Sequence, residues 1–299
     1  MLKEKIFYDV HVHTSIYDHC PRYLGANDRY AKPEELLAGY DEIGCYKAAI
    51  LPEITPECTV TLQSNDEILE LCRKYDGRFV PFCNLDPRML ANDWRADFVP
   101  YLQFYKERGC RGVGEVSANL HFLDPLMQNI FSAVEKVGMP LIFHMADRIG
   151  GTYGIVDEPG LPELEETMRR FPKLKFFGHS QCFWAEISVL KNPADRLGYP
   201  TGPVEEGRLP FLMRKYPSLH GDLSAGSGCN ALARDRAYAA KFLTEFQDRL
   251  LFGTDICQPA MPTLRPLAKL LIDMRDNGEI SETVFRKVAR ENAIRLLGE

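Results

Sequence analysis

The sequence predicts an α/β protein of the (β/α)8 barrel class, folded as a single domain over residues 1–299. Eight short runs rich in apolar, β-branched and aromatic residues recur at intervals of roughly 30 to 45 residues, the length of one strand, one helix and two loops. The stretches between these runs carry start and stop signals of helices. With 299 residues, 45% of them hydrophobic, the chain can bury one large core.

The predicted strands share an apolar body and a polar C-terminal end. In chain order they read IFYDVHVH, YKAAILPE, RFVPFCNL, RGVGEVSA, PLIFHMA, LKFFGHS, SLHGDLSA and RLLFGTD. A doubly wound open sheet has the same alternation of strands and helices, and periodicity alone does not show whether a sheet closes. The count of eight strand-and-helix units favours the barrel.

Helices are predicted where turn and capping residues bracket helical spacing. The first begins at Pro33, with Glu34 and Glu35 at its positive end, and stops at Gly44. The others run from Asp66 to Tyr75, Pro125 to Val137, Leu161 to Phe171 and Ala231 to Phe246, and from Ser281 onward, where Val284, Val288 and Ala289 have helical spacing.

Two long loops rich in glycine and proline are predicted after the fifth and sixth strands. They read ADRIGGTYGIVDEPG and KNPADRLGYPTGPVEEG. Loops at the C-terminal ends of barrel strands carry lids and specificity elements. We therefore expect these two loops to determine the substrate. Tyr153 and Trp184 are candidate pocket residues, although aromatic residues at such positions are more often packing residues.

Composition excludes several classes of function. With 42 acidic and 36 basic side chains the net charge is -6, so the chain lacks the basic field that a nucleic acid requires. The nine cysteines form no CxxC pair and do not indicate a disulfide framework. The sequence shows neither a signal peptide nor an apolar run of the ~18 residues needed to span a membrane. We expect a cytoplasmic protein that acts on a small molecule, with a homo-oligomer left open.

The polar strand ends indicate a metal site. His11 and His13 flank Val12 on an extended chain, so both imidazoles face one spot. The C-terminal ends of parallel barrel strands converge on one mouth. Four further candidates lie at matching ends of other strands: Glu115, His144, His179 and Asp255. Four imidazoles and two carboxylates suit Zn²⁺ or a similar divalent ion, which would satisfy all of these buried polar groups together.

The remaining candidates have weaker support. His19 and His121 lie in polar loops, and His220 begins its strand, so we do not expect these three to be ligands. Asp222 and Ser224 could reach the pocket, but a turn with a capping aspartate explains them equally well.

The whole chain resembles the amidohydrolase superfamily, and in particular its amidohydrolase-2 branch, which includes the aminocarboxymuconate-semialdehyde decarboxylase type. The similarity runs from VHVH through MPLIFHM, FPKLKFFGHS and LLFGTD to ENAIRLLG. It implies that His11, His13, His144 and Asp255 hold a catalytic divalent metal, and that His179 binds a second metal or the reactive water.

The resemblance leaves the number of metals open. Members with two metals usually bridge them with a carbamylated lysine on the fourth strand, where this chain reads GVGEVS without a lysine. Glu115 could form the bridge instead, since the GE motif also resembles that of the TatD-type nucleases. One or two ions are therefore expected, Zn²⁺ first, with Mn²⁺ or Fe²⁺ as alternatives.

These residues predict a metal-dependent hydrolase in which activated water attacks an amide, ester or lactone and Asp255 transfers the proton. One alternative is a non-oxidative decarboxylase of an aromatic or enoic acid, in which Arg148 would anchor the substrate carboxylate; a solvated loop residue is an equal explanation for Arg148. Another alternative is a metal-stabilised binding protein without turnover. Structural zinc sites often use cysteine, which is missing from this predicted set.

Overall fold

A computed structural model describes residues 5–18, 29–259 and 262–298 of the chain. All eight predicted strands are present, and a short additional strand, β6, follows the fifth. The strands are β1 (Phe7–Val12), β2 (Cys45–Ile50), β3 (Phe79–Pro81), β4 (Val113–Val116), β5 (Leu141–Ala146), β6 (Ile155–Val156), β7 (Phe176–His179), β8 (Leu219–Asp222) and β9 (Leu250–Leu251).

All of these strands pair in parallel and together form a closed barrel. Hydrogen bonds connect β1, β2 and β3 in one sheet and β4, β5, β7, β8 and β9 in another. A parallel bridge between Cys83 and Val113 joins the two sheets on one side. On the other side Val12 bridges Ile256, and the Asp255 N–H donates to the His11 carbonyl at 2.8 Å. The prediction of a (β/α)8 barrel is therefore confirmed, and the alternative of an open sheet is wrong.

The helices lie between the strands and, for the last three, after β9. They are α1 (Pro33–Ile43), α2 (Asn65–Lys74), the short turn α3 (Met89–Asn92), α4 (Val99–Glu107), α5 (Pro125–Val137), α6 (Pro162–Arg170), α7 (Gln181–Ala185), α8 (Arg208–Lys215), α9 (Ala225–Ala233), α10 (Arg236–Glu245), α11 (Pro266–Asp276), α12 (Glu282–Arg286) and α13 (Asn292–Leu297). A 3₁₀ turn at Pro193–Leu197 lies in the loop after β7, and a π-helical turn at Lys287–Glu291 joins α12 to α13.

Local capping explains why several helices begin and end as predicted. Helix α1 has Pro33 in its first turn and ends at Gly44, whose φ of 76° is readily adopted only by glycine. Helix α5 starts after Asp124, whose carboxylate accepts a hydrogen bond from the Leu126 N–H at 2.8 Å. The same sequence signals thus set the boundaries that the structure shows.

The single helix predicted from Ala231 to Phe246 is wrong. Helix α9 ends at Ala233 and α10 starts at Arg236. Between them, the Asp235 carboxylate accepts hydrogen bonds from the N–H groups of Tyr238 and Val204, both at 3.0 Å. An aspartate that binds the backbone in this way caps a new helix and interrupts the preceding one.

The interior of the barrel is a separate apolar cluster formed by side chains from alternate strand positions. Its members are Tyr8, Val10, Ala49, Leu51, Val80, Phe82, Ile142, Phe177 and Leu251, with Ala293, Leu296 and Leu297 of α13 packed on them. A larger cluster fills the space between strands and outer helices. Apolar side chains therefore fill the interior, and the candidate metal ligands lie at the C-terminal ends of the strands.

Candidate metal centre

The structure brings together six side chains from five strand ends. His11 lies in β1 and His13 directly follows it, Glu115 lies in β4 and His144 in β5. His179 ends β7, and Asp255 follows β9. The potential ligand atoms form three overlapping groups, and within each group they lie within 4.8 Å of one another. The groups are His11, His13 and Glu115; His11, His179 and Asp255; and Glu115, His144 and His179.

An irregularity in β1 directs His11 toward this cluster. Tyr8 and Val10 point into the barrel, so strict alternation would turn His11 toward the outer helices. The pairing register of β1 with β2 shifts between Asp9 and Val12. A bulge of this kind re-aims side chains and is common beside active sites.

The atoms Nε2 of His11 and His13 face one point in space. They are 3.2 Å apart, a separation that suits two nitrogen ligands of one ion. Asp255 Oδ1 lies 3.6 Å from the first of these nitrogens and 3.7 Å from the second. Glu115 Oε2 lies 3.8 and 3.9 Å from them.

The second oxygens of Glu115 and Asp255 face the histidines on the other side of the cluster, His144 and His179. Glu115 Oε1 is 2.9 Å from His144 Nδ1 and 3.7 Å from His179 Nε2. Asp255 Oδ2 is 3.6 Å from His179 Nε2. Each carboxylate therefore faces the His11 and His13 pair with one oxygen and the His179 side with the other.

The rear atoms of three imidazoles are held by fixed partners. His11 Nδ1 lies 2.6 Å from Asp222 Oδ2, His13 Nδ1 lies 2.9 Å from the Leu51 carbonyl, and His179 Nδ1 lies 2.9 Å from Ser224 Oγ. Partners at Nδ1 fix the ring orientation and leave Nε2 free to bind a metal. Asp222 is fully buried, and the Trp184 indole N–H donates to its carbonyl at 2.8 Å.

The electrostatics of the cluster favour a positive charge at its centre. Burial lowers the pKa of His11, but the carboxylates of Asp222, Glu115 and Asp255 outweigh burial and raise this pKa to about 10. Burial opposes ionisation of Asp255, yet His11 and His179 bring its pKa down to about 2. Burial lowers the pKa of His13, which therefore stays neutral and able to bind a metal.

Strained backbone and close packing occur at the same strand ends. Asp255, Ser180 and Ala225 have φ values of 53°, 101° and 61°, which side-chain-bearing residues rarely adopt and which cost about 1–3 kcal/mol each. A Cβ atom on Gly253 would lie 2.7 Å from the Cβ of Ser224 and 2.9 Å from Asp222 Oδ1. The centre therefore depends on glycine at position 253 as well as on its polar residues.

Asp9 connects the first and last strands beneath the centre. This fully buried carboxylate accepts hydrogen bonds from the His11 N–H at 2.9 Å and from the Thr254 N–H at 3.0 Å. The hydroxyl groups of Thr254 and Tyr40 donate to its second oxygen. Two of these contacts hold the backbone beside His11 and Asp255, the ligand candidates on either side of the barrel seam.

These observations fit a divalent metal. The donor set combines imidazoles, whose rear nitrogens are already engaged, with two carboxylates that each face two sides. Nitrogen and oxygen donors of this kind suit Zn²⁺, Mn²⁺ or Fe²⁺. A cation at this point would also compensate the carboxylates that raise the pKa of His11.

A comparison of the sequence with protein families matches the family model described as amidohydrolase over residues 8–298. The chain belongs to the amidohydrolase family. No curated protein matches the sequence significantly. The family assignment makes the chain an enzyme of the amidohydrolase superfamily and agrees with the predicted resemblance.

Solved structures with the same fold cover nearly the whole amidohydrolase chain. An uncharacterised TIM-barrel protein from Bordetella bronchiseptica has a TM-score of 0.67 at 15% identity, with 98% of both chains covered. A 5-carboxyvanillate decarboxylase from Sphingomonas paucimobilis has a TM-score of 0.59 at 16% identity, with 99% of both covered. A probable 2-pyrone-4,6-dicarboxylic acid hydrolase from Acinetobacter baumannii, with bound citric acid, has a TM-score of 0.56 at 14% identity, covering 98% of this chain and 99% of that one.

Other sequence candidates in the amidohydrolase lie apart from the cluster or differ in role. His121 is 3.2 Å from Glu163 at the surface, and His220 is buried at the start of β8. His19 lies outside the described residues. The Arg148 side chain is 52% exposed and binds the adjacent Asp147. Within the described part of the chain, no helix is long and apolar enough to cross a membrane.

Of the two aromatic candidates, one lies at the site and one in the core. The Tyr153 ring centroid lies 4.5 Å from that of His144, so this loop residue borders the metal cluster. Trp184 is buried against Phe183 and Phe242, and its indole N–H reaches the site through the hydrogen bond to the Asp222 carbonyl.

Sequence reasoning missed Glu53 and Asn84. Glu53 is buried, and its Oε1 lies 3.9 Å from His13 Nδ1. The Asn84 amide donates to the carbonyls of Pro52 at 3.0 Å and Glu115 at 2.7 Å, which ties three neighbouring strand ends together. Both residues lie at the C-terminal ends of predicted strands, Glu53 in YKAAILPE and Asn84 in RFVPFCNL. A polar residue at a strand end is the same signal that identified the histidines.

Proposed function

We propose that this amidohydrolase is a metal-dependent hydrolase in which activated water attacks an amide, ester or lactone of a small molecule. The supporting observation is that Glu115 faces His11 and His13 with one oxygen and His144 and His179 with the other. This arrangement suits a carboxylate that bridges two divalent ions, Zn²⁺ first, with Mn²⁺ and Fe²⁺ as alternatives.

The ion and the side chains would make separate contributions to the reaction. When bound, a divalent ion lowers the pKa of its bound water to about 7 and polarises a carbonyl group. Asp255 then serves as general base: it accepts a proton from the attacking water and returns it to the leaving group. Its carboxylate is 26% exposed, more than that of Glu115, the other carboxylate of the cluster, and therefore faces the side from which substrate enters. His179 would hold the reacting water from the opposite side or would bind a second ion.

Metal content tests this proposal. Elemental analysis of the native protein is expected to give about two divalent ions per chain, and Glu115→Ala is expected to lower this towards one. Loss of the bridge removes a ligand from both ions at once. Glu57→Ala, which alters an exposed carboxylate paired with Arg88, is the control. Complete absence of bound metal from protein purified without chelator contradicts the proposal.

A non-oxidative decarboxylase is the second candidate. The structurally similar 5-carboxyvanillate decarboxylase acts on an aromatic acid by name, and the Tyr153 ring beside His144 offers a flat surface for an aromatic substrate. A single ion in both the native protein and Glu115→Ala favours this reaction. Release of carbon dioxide from aromatic acids, without hydrolysis of amides or lactones, then distinguishes it from the hydrolase.

A further inference from the structure

Asn119 holds a loop that packs on one of the candidate ligands. The residue follows β4 and is 6% exposed. Its side-chain N–H groups donate to the carbonyls of Arg148 at 3.0 Å and Gly154 at 3.2 Å. Its Oδ1 accepts the Gly150 N–H at 2.6 Å. One amide therefore fixes both ends and the middle of residues 148–154, a segment of the long loop predicted after β5.

The 148–154 loop depends on contacts with other segments for its shape. Its residues 148–151 are exposed, and Ile149 is 54% exposed. Gly150 and Gly151 have φ values of 80° and 67°, and glycine loses more conformational freedom on folding than any other residue. The three hydrogen bonds with Asn119 offset this loss and select one conformation of the loop.

The C-terminal end of this loop packs against the imidazole of His144. The Tyr153 ring centroid lies 4.5 Å from that of His144, with the two rings tilted by 46°. The Gly154 N–H donates to the Ser117 carbonyl at 2.7 Å, and a Cβ on Gly154 would lie 2.9 Å from His144 Cδ2. A side-chain ring and a stretch of backbone thus contact the same imidazole.

His144 needs these contacts more than the other three histidines of the cluster do. The Nδ1 atoms of His11, His13 and His179 are held by partners outside the set of candidate ligands. His144 Nδ1 instead lies 2.9 Å from Glu115, which is itself a candidate ligand. The His144 side chain is also 13% exposed, whereas the other three are at most 2% exposed. Packing by the 148–154 loop therefore supplies the orientation that a rear hydrogen bond gives to the others.

We propose that Asn119 is a positioning residue for His144. By holding the 148–154 loop, it keeps Tyr153 and Gly154 packed on the imidazole in the orientation that binds a metal. The effect on metal binding rests on the proposed metal-dependent function. The hold of Asn119 on the loop does not, and it can be measured on protein with or without metal.

Amide hydrogen exchange of the full-length protein, followed by mass spectrometry, tests whether Asn119 holds the loop. Asn119→Ala is expected to speed exchange in peptides that cover residues 148–154 by about fivefold or more, because the Gly150 N–H loses its acceptor. Asn119→Asp keeps this acceptor and loses both donors, so it should show intermediate exchange, and it keeps the test usable if the alanine variant does not fold. Wild-type exchange in both variants overturns the proposal.

The matched control for these variants is Asn129→Ala. This asparagine lies in α5, and its amide donates to the Ala96 carbonyl at 2.8 Å. Its loss removes a comparable hydrogen bond away from the metal cluster and should leave exchange in residues 148–154 unchanged. Equal acceleration of this loop in Asn129→Ala and Asn119→Ala overturns the specific role of Asn119.

Competition with a chromophoric chelator for Zn²⁺ tests whether the loop acts on the metal centre. Asn119→Ala and Tyr153→Leu are each expected to weaken zinc binding about tenfold, as the loss of an orienting contact does. Because Asn119 acts through the loop that carries Tyr153, the double variant should fall well short of the ~100-fold loss that independent effects would give. A loss of ~100-fold in the double variant, or unchanged zinc affinity in Asn119→Ala, overturns the positioning role.

NMR spectra of the histidine rings give a readout that requires neither metal nor substrate. Displacement of the Tyr153 ring removes its ring current from His144, so the carbon-bound ring protons of His144 should shift in Asn119→Ala in the same direction as in Tyr153→Leu. Those of His220, in β8, should stay in place. Unmoved His144 signals in Asn119→Ala overturn the proposal. Failure of the wild type to bind zinc contradicts the proposed hydrolase alone, because hydrogen exchange and NMR still decide the role of Asn119.

Discussion

Asp255 is a ligand candidate and the more exposed of the two carboxylates in the cluster, so it is also the candidate general base. Asp255→Asn keeps the shape of the side chain but removes its ability to take a proton. We expect kcat to fall by at least about 100-fold, the range typical for the loss of a general base. Steady-state kinetics, with elemental analysis of the same samples, measures this effect. Retained metal with near wild-type turnover contradicts the role of general base.

Asp222 contributes to the candidate metal centre indirectly, because it holds the ring of His11. Its carboxylate, 2.6 Å from His11 Nδ1, fixes the ring and increases its basicity. Asp222→Asn is therefore expected to weaken metal binding by about 10- to 100-fold. Competition with a chromophoric chelator measures the metal affinity. Ser224→Ala removes the uncharged hydrogen-bond partner of His179 and is expected to weaken metal binding less than Asp222→Asn does. Unchanged affinity in Asp222→Asn excludes the orienting role.

His220 lies apart from the metal cluster and gives the fold a defined pH dependence. Burial lowers its pKa to about 3, and its Nδ1–H donates to the Ser218 carbonyl at 3.0 Å. Because the folded pKa lies below the ordinary value of 6.5, the unfolded chain alone takes up a proton as pH falls below 6.5. This contribution to stability is present above pH ~6.5 and is lost between there and pH ~3.

The corresponding test compares wild type with His220→Gln by urea denaturation at matched metal content. Between pH ~7.5 and ~5.5, the free energy of unfolding of wild type should fall by about 1 kcal/mol more than that of the variant, at ~1.4 kcal/mol for each pH unit below the pKa of the unfolded chain. The difference between the two proteins removes the contribution of other groups. Parallel pH profiles rule out this role for His220.

Asp235 determines where two helices separate. Its carboxylate caps α10 through the Tyr238 N–H and also holds the Val204 N–H of the loop after β7. Asp235→Ala removes both acceptors and is expected to destabilise the fold by about 1–2 kcal/mol. Chemical denaturation provides the measurement. Asp235→Asn, which can still cap, should recover most of the loss, and equal stability of wild type and the alanine variant contradicts the capping role.

The strands and their polar ends could be predicted because parallel strands carry two separate signals, an apolar body and a polar C-terminus. Capping signals likewise predicted α1 and α5, where proline, aspartate and glycine bracket the helix. Helices α3, α4, α7, α8 and α11 were not predicted. The break at Asp235 was missed because an aspartate within helical spacing shows its capping role only once the loop at Val204 packs against it.

Partners that act across the barrel were the least predictable. Asp9 and Thr254 are far apart in the sequence, and only closure of the barrel makes one the acceptor for the other. Closure itself depends on two seams, between Cys83 and Val113 and between Val12 and Ile256. The hydrophobic pattern shows which residues point inward but not which strands become neighbours at these seams. The role of Asp9 therefore appears only in the assembled molecule.

The candidate metal centre connects distant parts of the chain, since its candidate ligands extend from His11 in β1 to Asp255 after β9. An ion that binds the folded chain and not the unfolded chain stabilises the whole barrel, by about 4 kcal/mol when the free ion is a thousandfold above its Kd. For a protein of this size we expect removal of the metal with dipicolinate to lower Tm by about 10 °C.

Differential scanning fluorimetry measures this shift, and restoring Zn²⁺ should reverse it. The matched control is His11→Ala, in which chelation should change Tm far less because the ligand at the centre of two of the three groups is missing. Chelation that removes the metal from wild type without changing Tm shows that the ion does not stabilise the fold. An equal shift in His11→Ala indicates that the stabilising ion binds elsewhere in the molecule.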